Sequence, residues 1–588
     1  MVATISHSHN MQALNRVLLS LQTYWSIVCG AIFSLLLLTV TNAITPQLFR
    51  WAIDNGITQK DLQVVLDSAG LMVLVALGRG LFNFGQSFWA EKASQGVAYD
   101  LRNKIFDRIE NLSFSYHDRA QTSQLLTRIT SDVEQIRSFL GTSLIQVVSS
   151  IVTLLATSVI LLLMNWRLAL ISLALVPLAA LILANFLIKN QKVFGLAQER
   201  LGDLNGVLQE NISGVRIVKA FVRESLEMSR YQEINRDLIN VNLRTIAAIR
   251  NTFPIVFFLS NLITLAVVGY AGIEVINQQS TIGELVAFNT YLLFILQPIL
   301  LIGFAAPAIA QAAASAERVY EVIDTPIEIK DRLNAIPLEG CIGRISFENV
   351  QFRYPGSEKF AIEEISFETK PNELIALLGT TGSGKSTIVN LIPRFYEVTE
   401  GAVRIDGCDV RDLQLASLRS QIGIVLQETR LFSGTIRANI SYGLPNASLT
   451  KVITAAKSAQ IHDFITDLPD GYDTLVAERG VGLSGGQRQR IAIARTLLTD
   501  YKLLILDDST SAVDARTASQ IQAALDDLMH LKKCTAFVIA QRISTVRNAD
   551  RILLMDQGRL VAQGTHEELM IHSPLYGSIL ESQMQRGG

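Results

Sequence analysis

Apolar and charged residues are distributed unevenly along this chain, and the first half is dominated by long apolar segments. An α-helix needs about 20 apolar residues to cross a lipid bilayer, and segments of about that length recur in this half. They cover approximately residues 24–45, 62–88, 139–164, 168–188, 252–275 and 284–310. Two long connections, residues 90–138 and 189–251, carry many charges but keep a helical periodicity. The pattern predicts an α-helical transmembrane domain with six spans, whose helices extend far beyond the bilayer on one side.

The distribution of Lys and Arg predicts which side that is. The three remaining connections are short, and their only basic residues are Arg50, Lys60 and Arg167. Because positive charge is retained inside the cell, the basic long connections, both termini and the second half of the chain are expected in the cytosol. Arg79 is the one clear case of a charged residue inside a predicted span. Its place in the second span favours a position near the cytosolic boundary, where it would reach the headgroups; a substrate-facing role is the alternative.

The composition changes after the last apolar segment. The whole chain is 49% hydrophobic and 18% charged, below the roughly 25% charged residues of soluble domains. Residues 343–588 nevertheless have the composition of a soluble domain, so we divide the chain into a transmembrane domain (1–315), a linker (316–342) and a soluble domain (343–588). The net charge of −2 provides no basic field for nucleic acid. The four cysteines are widely spaced, and we expect reduced thiols.

The soluble domain contains a phosphate-binding motif in the expected context. An apolar strand over Glu373–Leu378 precedes the sequence GTTGSGKS, and a helix is predicted from Thr387. This is the P-loop pattern, in which glycines allow backbone N–H groups to surround phosphate oxygens. Lys385 is expected to neutralise the β- and γ-phosphates, and the Ser386 hydroxyl to bind Mg²⁺. The predicted ATP contacts of this loop are Gly379, Thr380, Thr381, Gly382, Ser383, Gly384, Lys385, Ser386 and Thr387.

A second constellation follows about one hundred residues later. A turn at Ser484, Gly485 and Gly486 opens a helix that runs from Gln487 to about Leu498. The aliphatic run Leu503–Leu506 then predicts a buried parallel strand that ends in two acids, Asp507 and Asp508. Carboxylates at the carboxyl end of such a strand lie where α/β proteins bind their ligands. Asp507 is therefore predicted to be the second Mg²⁺ partner.

Six spans followed by a P-loop and the sequence LSGGQ resemble the ATP-binding cassette (ABC) exporters. The signature LSGGQ, at Leu483, Ser484, Gly485, Gly486 and Gln487, is the specific element. The resemblance implies an α/β ABC nucleotide-binding domain whose cofactors are ATP and Mg²⁺. In this family two such domains enclose two ATP molecules head to tail, so each signature contacts the ATP of the partner. A second exporter half is thus the implied partner.

The resemblance also assigns roles to single residues of this chain. Tyr354 resembles the aromatic residue that stacks on adenine, and Gln427 the glutamine that senses Mg²⁺ and the membrane domain. Asp514, in the sequence SAVD, resembles the residue that communicates across the dimer. The segment Glu478–Gly480 resembles the one that precedes the signature in exporters.

Two segments of the long connections resemble the coupling helices of the family. They are Ser113–Gln121 and Gly214–Glu224, each at the far end of a helical extension. From length alone, an ordinary solvated helical turn is the alternative at both places.

Two positions depart from the family pattern. The residue after Asp507 is usually Glu, but here it is Asp508, and the switch loop that usually carries His has Gln541. Asp is one methylene shorter than Glu, and Gln cannot take a proton as His can. Losing a well-placed base commonly costs about 10²–10⁴-fold in rate. We expect this chain's own catalytic pair, Asp508 and Gln541, to hydrolyse ATP slowly, unless backbone shifts make the pair competent.

The combination resembles one subunit of heterodimeric bacterial exporters, with a partner chain that carries the competent site. A homodimer with two slow sites and an ATP-gated channel or regulator are the alternatives. The mild polarity of the spans suits a hydrophobic or amphipathic cargo such as a drug, lipid or peptide-like molecule. The half-transporter layout favours a bacterial inner membrane, and the six spans exclude the soluble cassette proteins that act on DNA or ribosomes.

Overall fold

The computed structural model of the protein describes residues 2–427, 429–477, 480, 482–507, 533–539, 547 and 549–585. Within this part of the chain there are two compact units. The first contains Met1–Glu110 and Thr122–Thr325, and the second contains Asn111–Gln121 and Pro326–Gly588. The short segment Asn111–Gln121 therefore belongs with the C-terminal unit, although it lies between two helices of the first unit in sequence.

Numbered in chain order, the helices up to residue 325 are α1 (Val2–Ser20), α2 (Trp25–Trp51), α3 (Leu62–Asn111), α4 (Phe114–Arg119), α5 (Thr122–Thr127), α6 (Val133–Ser138), α7 (Leu144–Met164), α8 (Trp166–Leu173), α9 (Leu175–Ser213), α10 (Val215–Ala220), α11 (Glu224–Ile276) and α12 (Ile282–Asp324). Of these, α4 is in the second unit. Short π-helical turns join α2 to the following loop, α5 to α6 and α6 to α7.

Six helical stretches among the described residues are long and apolar enough to cross a membrane. They are Met11–Ile57, Leu62–Asn111, Thr122–Met164, Trp166–Asn190, Glu224–Ile276 and Ile282–Asp324. Several run far beyond a bilayer, since 50 residues of helix are about 75 Å long. Helical structure continues to Ile57, well beyond residue 45, where the first apolar segment was expected to end. Helix α12 continues past Pro298 and Pro307 to Asp324, so it extends into the range expected as a linker, 316–342.

The first unit is held together where small or aromatic residues let helices approach closely. Tyr291 of α12 is fully buried, in one apolar cluster with Leu161 of α7 and Val267 of α11. Close approach of helices through glycine is a common way to stabilise membrane proteins, because the bilayer provides no hydrophobic drive between helices. Here a Cβ at Gly283 would lie 2.5 Å from Arg50 O, so the start of α12 lies directly on the end of α2.

The described residues of the second unit form three sheets. Its strands are β1 (Ile345–Phe352), β2 (Ile362–Glu368), β3 (Leu374–Gly379), β4 (Glu400–Ile405), β5 (Cys408–Asp409), β6 (Ile422–Val425), β7 (Gly434–Thr435), β8 (Leu475–Val476), β9 (Leu503–Asp507), β10 (Thr535–Ile539), β11 (Arg551–Asp556) and β12 (Arg559–Gly564). The antiparallel sheet has the order β2-β1-β4-β5, and the largest sheet has the order β12-β11-β3-β10-β9-β6.

Besides α4, the described residues of the second unit form eight α-helices. They are α13 (Lys385–Leu391), α14 (Leu415–Ser420), α15 (Ile436–Ile440), α16 (Leu449–Ser458), α17 (His462–Thr466), α18 (Gly485–Leu498), α19 (His566–His572) and α20 (Pro574–Gln585). Strands β3, β10, β9, β6 and β11 are parallel and almost continuously apolar, as expected for a sheet with both faces covered. Two apolar cores result, one of which includes Leu378 and Ile491 and the other Leu377 and Ile388.

The contact at Gly283 gives a prediction about the first unit. Gly283→Ala should lower the melting temperature of the protein in detergent, because the added methyl group meets backbone in a packed site, where overpacking costs about 1–3 kcal/mol. The matched control is Gly269→Ala in α11, where a Cβ would meet nothing within 4 Å; its melting temperature should not fall. Equal melting temperatures for the two variants would contradict the close packing of α12 on α2.

Candidate ATP-binding site

The predicted P-loop connects β3 to α13 at the carboxyl end of a buried strand. Gly382 and Gly384 have φ angles of 82° and 98°, in the left-handed region that favours glycine. A Cβ at Gly384 would lie 2.6 Å from Ile362 Cγ2 and 2.9 Å from Ala361 O. The loop therefore follows a path that side chains at this position would block. The helix begins two residues before the predicted start at Thr387.

The lysine of the loop is folded across it. Lys385 is 8% exposed, and its Nζ donates hydrogen bonds to Gly379 O (2.9 Å) and Thr380 O (2.7 Å). Thr381 and Ser386, on the two sides of this arrangement, are exposed. A curled backbone with an ammonium group held inside the curl fits a polyphosphate, whose oxygens would accept from the backbone N–H groups and from Lys385.

Parallel pairing brings the other predicted metal-site residues to the same edge of the sheet. Ile539, at the end of β10, pairs with both Leu377 of β3 and Asp507 of β9. Val425 pairs with Leu506, so Gln427 follows β6 at the same edge, and its side chain is exposed. The order β3-β10-β9-β6 thus places the P-loop, Asp507 and Gln427 along one edge, as ligand sites of α/β sheets require.

Tyr354 lies beside this loop and is half-buried. Its hydroxyl is 3.1 Å from Thr387 Oγ1 in α13, and its ring packs edge-on against Phe352, with 4.8 Å between centroids. Burial raises the pKa of the Tyr354 hydroxyl, so it stays protonated near neutral pH. The ring that we expect against adenine is therefore tied to the P-loop helix itself.

The signature forms the N-terminus of α18. The Ser484 hydroxyl accepts a hydrogen bond from Gln487 N (3.3 Å), and Gln487 Oε1 accepts one from Ser484 N (2.7 Å), which together make a capping box. Ser484 and Gly485 are exposed, whereas Gly486 is buried. The helix starts at Gly485 rather than Gln487, because Ser484 is its cap. The capping box fixes the shape of this exposed turn.

Two arginines to which no sequence motif assigned a role stabilise this region. Arg488 donates to Leu483 O (2.7 Å) and supports the signature turn. Arg495 donates to Asn439 O (2.8 Å) and Asn439 Oδ1 (3.0 Å), and its guanidinium lies over the ring of Tyr442. Asn439 is buried and in turn bonds both backbone groups of Phe432. Arg495 therefore ties α18 to the chain that follows Gln427.

The two predicted coupling segments both contain short helices. The first, around Ser113–Gln121, contains α4 and is part of the second unit. The second, around Gly214–Glu224, contains α10 and is part of the first unit.

Several predicted residues lie outside the described part of the chain. They are the proposed catalytic pair Asp508 and Gln541, the dimer-communication residue Asp514, and Glu478 and Arg479 before the signature. For Arg79, the structure gives an exposed side chain on α3.

Sequence and structure comparisons identify the family. Residues 28–299 match the ABC transporter transmembrane region, and residues 362–511 match the ABC transporter family. The chain is an ABC exporter. It is 36% identical over 574 residues to the "Uncharacterized ABC transporter ATP-binding protein YknU" of Bacillus subtilis (strain 168), covering 97% of this chain and 98% of that protein.

Two further comparisons agree with this assignment. The exporter is 36% identical over 538 residues to the ATP-dependent lipid A-core flippase of Syntrophus aciditrophicus (strain SB), covering 92% of this chain and 89% of that protein. It is also similar to the structure of a bacterial Atm1-family ABC exporter with ATP bound, with a TM-score of 0.81, 31% identity and coverage of 95% and 98%. The predicted fold class is confirmed: a six-span transmembrane domain is followed by an ABC nucleotide-binding domain. The exporter is an integral membrane protein that binds ATP and couples its hydrolysis to transport.

The position of Lys385 gives a prediction about binding. Lys385→Ala should raise the Kd for ATP more than tenfold, because charged hydrogen bonds to phosphate contribute about 1.5–3 kcal/mol each. Equilibrium binding of a fluorescent ATP analogue to the purified exporter in lipid measures the change. Lys457→Ala removes an exposed lysine on α16 and should leave the Kd unchanged. A similar Kd for the Lys385 variant and the wild type would place the phosphates elsewhere.

Proposed function

We propose that this exporter moves a hydrophobic or amphipathic molecule across a bacterial cell membrane as one half of a dimer. The observation that carries the proposal is the pairing of an intact phosphate loop and an exposed, capped signature in one ATP-binding domain. An exposed signature needs a second domain to meet, so one chain provides half of each composite site. Two observations support this class of cargo: the apolar spans carry only mildly polar residues, and one relative is named a lipid A-core flippase.

In this proposal ATP is held by groups that reach the carboxyl edge of the largest sheet. Tyr354 stacks on adenine, and the loop from Gly379 to Thr387 surrounds the phosphates. Hydroxyl, amide and carboxylate oxygens are the donors that Mg²⁺ prefers, and Ser386, Gln427 and Asp507 offer one of each near this edge. The bound ion would neutralise charge on the β- and γ-phosphates.

The catalytic part of the proposal rests on the sequence. Asp508 directly follows Asp507, which ends β9, and Gln541 comes two residues after Ile539, which ends the neighbouring strand β10. Both positions thus follow adjacent strands at the edge where ATP is expected. A shorter carboxylate and a side chain without basicity favour a site that binds ATP and turns it over slowly. The partner then supplies Glu and His at the matching positions, and this chain's Ser484–Gln487 completes the partner's faster site.

Orientation follows from the positive-inside distribution of basic residues. The ATP-binding domain, both termini and the extensions lie in the cytosol, where ATP is available. The bacterial sources of the flippase relative and of the Atm1-family structure support a bacterial cell membrane.

The slow site is tested by steady-state ATPase of the purified chain alone in lipid. The wild type should be nearly silent, and the Asp508→Glu/Gln541→His double variant should gain at least tenfold, since a well-placed base contributes about 10²–10⁴-fold. The same double variant with Lys385→Ala should fall back to background. Brisk turnover by the wild type would contradict the slow site and favour a homodimer that uses Asp508 as its base.

Export is tested in inverted membrane vesicles from cells that make the chain and from cells that lack it. A fluorescent phospholipid or amphipathic dye should accumulate inside the vesicles in an ATP-dependent manner only when the chain is present. Lys385→Ala should abolish the difference. Nucleotide-dependent current without accumulation would instead favour a channel or regulator.

A further inference from the structure

The first turn of helix α4 is hydrogen-bonded to Glu328, in the segment of the second unit that precedes β1. Ser113 Oγ donates a hydrogen bond to Glu328 Oε2 (2.8 Å), and Ser115 Oγ donates to the same carboxylate oxygen. These hydroxyls lower the pKa of the Glu328 carboxyl, so it is ionised at neutral pH. Arg119, at the end of α4, lies 4.0 Å from the other Glu328 oxygen. One carboxylate thus contacts both ends of the helix.

Phe114 and Asp118 of α4 contact an aromatic cluster of the ATP-binding domain. Phe114 packs on Phe395, with 4.5 Å between ring centroids. Asp118 Oδ2 accepts a hydrogen bond of 2.5 Å from the Tyr396 hydroxyl. Burial, and then the Asp118 carboxylate, raise the pKa of Tyr396, so this hydroxyl remains a donor. The neighbouring backbone is held by Arg419, which donates to Pro393 O and Arg394 O.

The same cluster continues to Tyr354, the ring proposed to stack on adenine. The Tyr396 ring packs edge-on against Tyr354, with 5.3 Å between centroids, and Phe352 contacts both rings. Tyr396 is 8% exposed, so its ring has little freedom to move without moving Tyr354. Beyond Tyr354 the path ends at Thr387, in the first turn of α13.

We propose that Tyr396 is a positioning residue that links α4 to the adenine end of the ATP site. The Asp118–Tyr396 hydrogen bond fixes the Tyr396 ring, which holds Tyr354 at the angle needed for stacking. A shift of α4 then changes the affinity for adenine, while the P-loop contacts with phosphate stay the same. This inference rests on the proposed stacking of adenine on Tyr354.

The test compares two ligands that share the phosphates but not the base. The Kd of MgATP and of magnesium tripolyphosphate is measured by calorimetry for the full chain in lipid nanodiscs. Tyr396→Phe removes only the hydroxyl and should raise the Kd of MgATP about three- to tenfold, the effect of losing one net hydrogen bond. The Kd of tripolyphosphate should change by less than about twofold, because Lys385 and the loop backbone are untouched.

Asp118→Ala should reproduce this selective loss, and adding it to Tyr396→Phe should cause little further change, because both remove the same bond. Asp118→Asn keeps an accepting oxygen and should restore most of the affinity. The matched control is Tyr472→Phe, which removes another hydroxyl of the same unit, bonded to His462 Nδ1 at 2.9 Å. It should alter neither Kd.

Two results would overturn the inference in distinguishable ways. If Tyr354→Ala weakens MgATP selectively but Tyr396→Phe and Asp118→Ala do not, Tyr354 contacts adenine and the link from α4 is absent. If Tyr354→Ala also leaves the ratio of the two Kd values unchanged, the proposed adenine contact fails, and the link fails with it. A parallel loss for both ligands in Tyr396→Phe would indicate general loosening of the domain, which also contradicts the inference.

Discussion

The site depends on the register of four buried parallel strands. Ile539 pairs with Leu377 on one side and with Asp507 on the other, so β10 and β9 end level with each other and within two residues of the end of β3. Buried aliphatic strands hold such a register firmly, because a slip of one residue would turn apolar side chains out of one core and into another. The level ends put the P-loop, Asp507 and Gln427 on one edge. The proposed roles of the P-loop, Asp507 and Gln427 in ATP binding follow from that alignment.

Much of this architecture could be predicted from the sequence, because it depends on local patterns. The length of the apolar segments predicted the six spans. The glycines and Lys385 of the P-loop motif predicted the phosphate-binding loop between β3 and α13. The helix starts at Lys385 and Gly485 were misplaced by two residues, although the spacing of Ser484 and Gln487 is itself a capping-box signal. Helix α12 continues beyond the predicted apolar segment 284–310, because apolar length indicates where a helix crosses a membrane and not where the helix ends.

The remaining features depend on contacts between residues that are distant in sequence. Asp118 and Tyr396 are 278 residues apart, and nothing in the local pattern around either residue indicates the other. Arg495 is likewise joined to Asn439 across 56 residues. Such contacts connect α4 to the adenine side of the site and α18 to the chain after Gln427. Family resemblance indicated that the first coupling segment contacts a cytosolic domain, but only the structure identifies the side chains that do so.

The central claim is that this chain's own site retains ATP more readily than it hydrolyses it. The most direct measurement is the fate of bound nucleotide. Purified chain in lipid is loaded with radiolabelled MgATP and rapidly freed of unbound nucleotide, and the retained label is then separated into ATP and ADP over several minutes. The account predicts that most of the label stays as ATP. Conversion to ADP within the first time point would contradict it and would make Asp508 a competent catalytic base.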